Sequence, residues 1–384
     1  MRRVTVLILS IMLIVCGGGV ALATAFWGRT SISTAGEVDF ATPLAIPPLA
    51  SSKVDGSGRR VFDLTAAPGE HDFGGGPTRT WGFNGGYLGP TLRAQRGEEV
   101  IVNVHNGLAE PTTVHWHGMH LPARMDGGPH QAIQPGATWS PAWRIDQPAA
   151  TLWYHPHPHG ETARHVYRGL AGMFLIDDPA ATGLPGEYGV DDIPVIVQDK
   201  KLTRGGDLSE GGSFLGDVGI LGDTIAVNGT VGPYLDVHTE RVRLRLLNAS
   251  NARVYSFGFA DGRKFALVGT DGGLLPQAVV KDSVEVWTVR NADGSPHNFH
   301  VHGVQFQVLS DGGGAPPPEL SGWKDTIYLT PELRYELIMR LPSYADPAMP
   351  YMFHCHVLLH EDGGMMGQFA VVEPGQSAQT PHHH

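Results

Sequence analysis

The 384 residues carry 38 acidic against 27 basic side chains, a formal charge of -11, and so lack the basic face that phosphate binding needs; a nucleic-acid partner is excluded. With 51 Gly and 29 Pro but only 17% charged residues, the composition suits many short strands joined by turns, and an all-β chain of two or three domains is expected. Histidine, at 20 residues, is the outlier.

The chain opens "MRR" and runs uncharged from Val4 to Gly28. Small residues at Ala21, Ala23 and Ala25 fit a secretory signal cleaved near "ALATA". At roughly 20 residues the same run is long enough for an uncleaved membrane anchor. Under either reading residues 1–28 direct the domains outside the cytoplasm, as a secreted, periplasmic or anchored protein. Cys16 falls in this segment, which leaves Cys355 as the one thiol of a mature chain and no intramolecular disulfide. Residues 29–55 are expected to be a linker.

Three stretches then share a template, a β-rich run ending in Asn followed by another strand: Arg96–Gly118, Thr239–Phe259 and Lys281–Gly303. Nine and eleven residues after Asn106, Asn248 and Asn291 stand His115/His117, Phe257/Phe259 and His300/His302. The outer repeats therefore carry imidazoles, and the middle one aromatics expected in its core. A return strand follows each outer repeat, "LWYHPHPHG" with His155 and His157, and "YMFHCHVLLH" with His354 and His356. Side chains two apart on a strand face one way, so each His-x-His presents two imidazoles together. Four such pairs, two per domain, describe a multinuclear metal site between two similar β-domains.

The repeat is broken once. Asn106 and Asn248 are 142 residues apart, Asn248 and Asn291 only 43, a shortfall of about one hundred residues. Repeats one and two have similar lead-in strands, Phe83–Leu92 and Val227–Leu235, and repeat three has none. The join falls near Leu275–Lys281 and suggests an in-frame deletion or a fusion of two half-domains. The expected organisation is a first domain over 56–180, a partial second over 190–278, a partial third over 279–375, and a tail over 376–384 whose His382–His384 resemble a tag remnant.

In "HCHVLLHEDGGMM" Cys355 should face away from its two neighbours, binding one ion while they bind others. Five residues on stands His360 and ten on Met365, with His297 just ahead of His300/His302. Two imidazoles, a thiolate and a thioether are the ligand set of a blue-copper centre.

With "HWHG", "WYHPHPHG", "HNFHVHG" and "HCHVLLHEDGGMM", and "PLAIPPL" near Pro43, the sequence resembles a multicopper oxidase from about Pro43 onward, in the manner of the bacterial three-domain group that includes bilirubin oxidases, cuprous oxidases and laccases. The resemblance implies tandem cupredoxin-like Greek-key β-barrels, the second and third truncated and fused here. It implies four copper ions: one type 2 held by His115 and His300, a type 3 pair held by His117, His155, His157, His302, His354 and His356, and one type 1 held by His297, Cys355, His360 and Met365. Asp126, in "RMDGGPHQ", and Glu361 match acids that relay protons to dioxygen.

Three functions compete. One is oxidation of phenols, aromatic amines or pigments with dioxygen as acceptor. The second makes cuprous ion the reductant; the methionine-rich insert common in cuprous oxidases is missing among the 10 Met here, although Asp293 stands four residues before His297. The third is copper binding without turnover, because an incomplete middle domain leaves unpaired strand edges. A two-domain nitrite reductase fits less well, since its copper sites do not need four His-x-His pairs. An assembly in which domains meet between chains is a further expectation of the shortened middle.

Overall fold

The computed structural model describes residues 34, 38–179, 183–210, 219–271, 273–274, 284–292, 294–341, 343–363 and 365–373. The chain divides into two units, Met1–Phe40 and Ala41–His384. The signal or anchor segment, Cys16, the join at Leu275–Lys281, Asp293 and the C-terminal histidines lie outside the described residues. Among the described residues the second unit is built of β-sheets with two short helices.

Its first portion is a pair of packed sheets. One has the order Ser52–Val54, Arg60–Asp72, Glu99–Asn106, Thr138–Trp139, with Pro77–Phe83 and Ala142–Arg144 on its flanks; the other runs Leu92–Gln95, Gly172–Asp177, Ala150–His155, His115–His117. Glu99–Asn106 shows why these segments are strands: Val100, Val102 and Val104 are fully buried while the residues between them are partly or fully exposed. Alternate β-branched residues fill a pleated surface with one face on the core. They pack with Phe62, Leu64, Phe83, Leu92, Trp116, Trp143 and Phe174 into one cluster.

The repeated asparagines have a structural reason. Asn106 Nδ2 donates to the carbonyls of Glu110 (2.9 Å) and Ile133 (2.8 Å), and Asn291 Nδ2 to those of Ser295 (2.8 Å) and Leu329 (3.2 Å). Asn248 Nδ2 donates to Arg253 O at 2.8 Å. Each side chain closes the turn that leaves its strand, satisfying buried carbonyls that the sheet cannot reach.

The middle and last portions each hold part of this plan. In the middle the order is Thr230–Val231, Thr224–Val227, Asp192–Lys200, Arg243–Asn248, and the last two are parallel, as Arg60–Asp72 and Glu99–Asn106 are in the first portion. No described strand covers the far edge of Arg243–Asn248, and Arg253–Val268 holds no strand. Phe257 and Phe259, expected in a core, are 41% and 44% exposed, because no described sheet faces them. The last portion has the complement: Val284–Arg290 pairs with Arg334–Arg340, which pairs with Phe306–Asp311, and a second sheet runs Thr326–Leu329, His297–Val301, Tyr351–His354, Met366–Phe369. Among the described residues Val284–Arg290 has no parallel neighbour, and it does not pair with Arg243–Asn248. Its own core gathers Val301, Phe306, Ile327, Tyr335 and Leu337.

Helix α1 (Thr162–Arg168) in the first portion and helix α2 (Leu358–Asp362) in the last are fastened together. The Asp362 carboxylate accepts the N–H groups of Thr162 (2.9 Å) and Ala163 (3.0 Å) at the start of α1, where those donors have no partner within the helix. This contact fixes α2, which carries His360 just beyond Cys355, against α1, which follows His155 and His157 in the chain.

Candidate metal centre

Strand pairing sets the imidazoles side by side. His115 lies opposite His155 on adjacent strands, and His300 opposite His354. Only the His115/His117 pair lies wholly within a strand; the others straddle strand ends at His155, Val301 and His354. The expected alternation therefore stops early, and local hydrogen bonds take over the aiming. The His157 N–H donates to Thr113 Oγ1 (2.7 Å) and the His302 N–H to Met352 O (2.9 Å).

Three groups of ligand atoms converge at the boundary of the first and last portions: His115 with His117 and His300, His117 with His155 and His356, and His157 with His302 and His354. The Nε2 atoms of His157 and His302 each stand 3.1 Å from His354 Nε2. Imidazole nitrogens at this distance either share a proton or flank a cation. The Nε2 atoms of His115, His300 and His356 are buried with no hydrogen-bond partner. Such orphans are costly unless a ligand meets them.

The far side of most rings is held by oxygen. His115 Nδ1 bonds Asp126 O (2.9 Å), His300 Nδ1 bonds Asp325 O (2.8 Å), and His155 Nδ1 bonds Pro156 O (2.8 Å). His302 Nδ1 meets Asp126 Oδ2 at 2.6 Å, while Glu361 lies 3.3 Å from His157 Nδ1 and 3.1 Å from His354 Nδ1. Anchoring one ring nitrogen fixes the tautomer and leaves the other lone pair free for a metal.

Burial, reinforced by neighbouring imidazoles, holds His115, His117, His155, His300 and His302 well below the ordinary histidine range, and brings His157 down to about 4 and His356 to about 3. These rings are neutral at physiological pH and ready to coordinate. The donor set, nitrogen-rich and mostly buried, fits copper. Burial pushes the Asp126 carboxyl up to about 8. At Glu361 burial works upward too, but the imidazoles of His157 and His354 outweigh it and hold the carboxyl well below its usual range.

A separate group brings Cys355 Sγ 3.6 Å from His297 Nδ1 and from His360 Nδ1, and the two nitrogens 3.1 Å from each other. The Asn298 N–H donates to the sulfur at 3.4 Å. Met365 belongs to the same loop, its N–H on His360 O (2.9 Å) and its carbonyl receiving the Cys355 N–H (3.0 Å), and its side chain is 44% exposed. Cys355 is bonded in sequence to His354 and His356, which fall in two different three-histidine groups.

Reading the sequence missed Asp325. It is buried, with Oδ1 3.1 Å from His117 Nε2, and burial holds its carboxyl well above the usual range. The sole signal was an acid directly before a strand in "WKDTIYL", and nothing in its spacing ties it to His117.

Two family profiles, both described as multicopper oxidase, match residues 65–181 and 247–375. A multicopper oxidase of Staphylococcus haemolyticus is 33% identical over 422 residues, covering 85% of this chain and 92% of the relative. That alignment is longer than the chain itself, so the relative carries segments with no counterpart here. A cell division protein FtsP of Photorhabdus laumondii is 30% identical, covering 87% of this chain and 93% of its own length. Among solved structures, a laccase-like multicopper oxidase CueO from Ochrobactrum superposes with a TM-score of 0.74 at 31% identity, covering 86% of this chain and all of that one.

Proposed function

The chain belongs to the multicopper oxidase family, copper-binding oxidoreductases that use dioxygen and a reductant, and on that premise we propose that it oxidises phenols, aromatic amines or pigments one electron at a time and reduces dioxygen to water. The observation that carries this reading is the sorting of eight imidazoles into three converging groups, with Cys355 standing between two of them. His115 and His300 hold a type 2 ion; His117, His155 and His356 hold one type 3 ion, and His157, His302 and His354 the other. His297, Cys355 and His360, together with Met365, would hold the type 1 ion. Four bound copper ions supply the one-electron redox chemistry that side chains lack.

The protein's part is positioning and proton supply. Cys355, bonded in sequence to His354 and His356, would link the type 1 ligands to both three-histidine groups through a few covalent bonds. One dioxygen becoming two waters takes up four electrons and four protons. Asp126, buried against His302, would hold a proton at neutral pH, and the ionised Glu361, beside His157 and His354, would accept and pass one. A cavity of about 500 Å³ beside Cys355 is lined by Val289, Phe299, Leu329, Phe353 and Met365, a mostly apolar wall that suits an aromatic reductant better than a hydrated ion.

The middle and last portions are read as an opening half and a closing half of two domains, with the sequence between them lost. Export past the cytoplasmic membrane follows from residues 1–28, as a cleaved signal or an anchor; no helix among the described residues is long and apolar enough to cross a membrane. The test is copper per chain with visible and spin-resonance spectra of one copper-loaded sample, then oxygen uptake with a phenol and with Cu(I). Four ions, a blue band and faster uptake with the phenol are expected. Faster uptake with Cu(I) makes cuprous ion the reductant. One ion without uptake reduces the protein to a copper binder, and none removes the copper reading.

A further inference from the structure

Six of the eight imidazoles turn Nδ1 toward an oxygen and Nε2 inward, and His117 is reversed. Its Nε2 faces Asp325 Oδ1 (3.1 Å) and Thr326 Oγ1 (3.2 Å), and its Nδ1 lies 3.4 Å from His155 Nε2. An imidazole ligating through Nδ1 must carry its proton on Nε2, and that N–H needs an acceptor. Asp325 supplies it, and Thr326 Oγ1 in turn donates to the same carboxylate oxygen at 2.9 Å.

Asp325 acts on a second ring by a different atom. Its backbone carbonyl accepts from His300 Nδ1 at 2.8 Å, so His300 keeps Nε2 forward. One residue thus sets opposite tautomers on two neighbouring imidazoles, through its side chain for one and its main chain for the other. The glycine of "HWHG" makes room for this. A Cβ at Gly118 would sit 2.4 Å from Asp325 Oδ2, and the backbone there has φ +81°. A side chain at that position would displace the carboxylate or strain the turn.

We propose that Asp325 is a positioning residue that locks His117 in its Nδ1-inward orientation and so completes the three-imidazole group of His117, His155 and His356, an inference that rests on the copper reading above. The carboxylate acts through the His117 ring. Fixing the ring in advance removes the cost of ordering it when the metal arrives.

The experiment compares copper retention in the full-length protein and in Asp325→Ala, Asp325→Asn and Thr326→Val across a chelator series, with the blue band and spin-resonance spectrum of each. Asp325→Ala is expected to lose copper from the type 3 pair at about 10- to 100-fold lower chelator concentration, the range for removing an outer partner of a ligating histidine. A new signal from uncoupled copper should appear while the blue band per chain stays constant. Asp325→Asn keeps an acceptor at Oδ1 and should retain the pair, and Thr326→Val should shift retention by less than about threefold. Wild-type retention and a spin-silent pair in Asp325→Ala would overturn the inference. Should Asp325→Ala lose the blue band as well, Asp325→Asn decides alone: a retained pair supports positioning by hydrogen bond, and a lost pair overturns it. Failure of the unsubstituted protein to hold a type 3 pair would strike the copper reading itself, a separate outcome.

Discussion

In the first portion Glu99–Asn106 has a parallel neighbour on one edge and antiparallel neighbours on the other, whereas Arg243–Asn248 in the middle has only the parallel one among the described residues. At the same offset from their asparagines, the first portion places His115 and His117 in a buried strand, and the middle leaves Phe257 and Phe259 exposed without a strand. The segment after each asparagine is therefore ordered by the closing sheet, not by the turn that Asn106 and Asn248 both make. The last portion keeps that closing sheet and, among the described residues, lacks the parallel neighbour, yet His300, His302 and His354 are as buried as the imidazoles of the first. Convergence of the metal-binding side chains depends on the closing half of each domain.

The strongest test of that division strikes the closing half at its centre. Cys355→Ser replaces the thiolate between His297 and His360, and the blue band and phenol oxidation are expected to fall to background while far-ultraviolet dichroism stays that of the parent. A blue, active Cys355→Ser protein would remove the type 1 assignment. Next in size is Asp126→Asn, which keeps the shape facing His302 but cannot carry a proton. Turnover is expected to drop by about 10²- to 10⁴-fold with copper content unchanged. Parental turnover at full copper loading would take Asp126 out of the mechanism.

Stability should divide the same way. Leu92 is fully buried in the core of the first portion, and Leu92→Ala is expected to cost about 2–5 kcal/mol in denaturant unfolding. Leu244, on the strand Arg243–Asn248, is 45% exposed, and Leu244→Ala should stay within about 0.5 kcal/mol. A large loss at Leu244 would mean that something covers this sheet in solution and that the two portions are less different than their strands suggest.

Much of this was legible in the sequence because the chemistry is written in spacing. The four His-x-His pairs, Cys355, His360 and Met365 declare themselves by residue type and interval, and the asparagine repeat marks the strand ends. The limits were equally physical. Strand alternation was expected to aim all four pairs, but the strands stop at His155, Val301 and His354, and hydrogen bonds to Thr113 and Met352 finish the task. Phe257 and Phe259 read as core because apolar residues usually are, and they stand exposed because no described sheet faces them. Asp325 was invisible because its link to His117 exists only once two portions, far apart in sequence, have packed together.

The subtlest consequence of joining unlike portions lies at Lys200, on the middle strand Asp192–Lys200 and packed against the first. Its ammonium is buried, donates to Tyr167 O at 2.5 Å and lies over the rings of Tyr167 (4.6 Å) and Tyr87 (5.4 Å). Burial brings it down from 10.5 to about 7, with Asp199 pulling weakly the other way. Between those two values the unfolded chain holds a proton that the folded one has released, so stability rises with pH across that window by up to about 1.4 kcal/mol per unit. Below about 7 both states are charged and the full cost of the buried ammonium is present. Lys200→Met should remove this slope and stabilise the protein most at neutral pH and below, read as unfolding midpoints from pH 6 to 10. Equal slopes in the two proteins would mean that water reaches Lys200, and that the middle segment rests on the first more loosely than its hydrogen bond to Tyr167 implies.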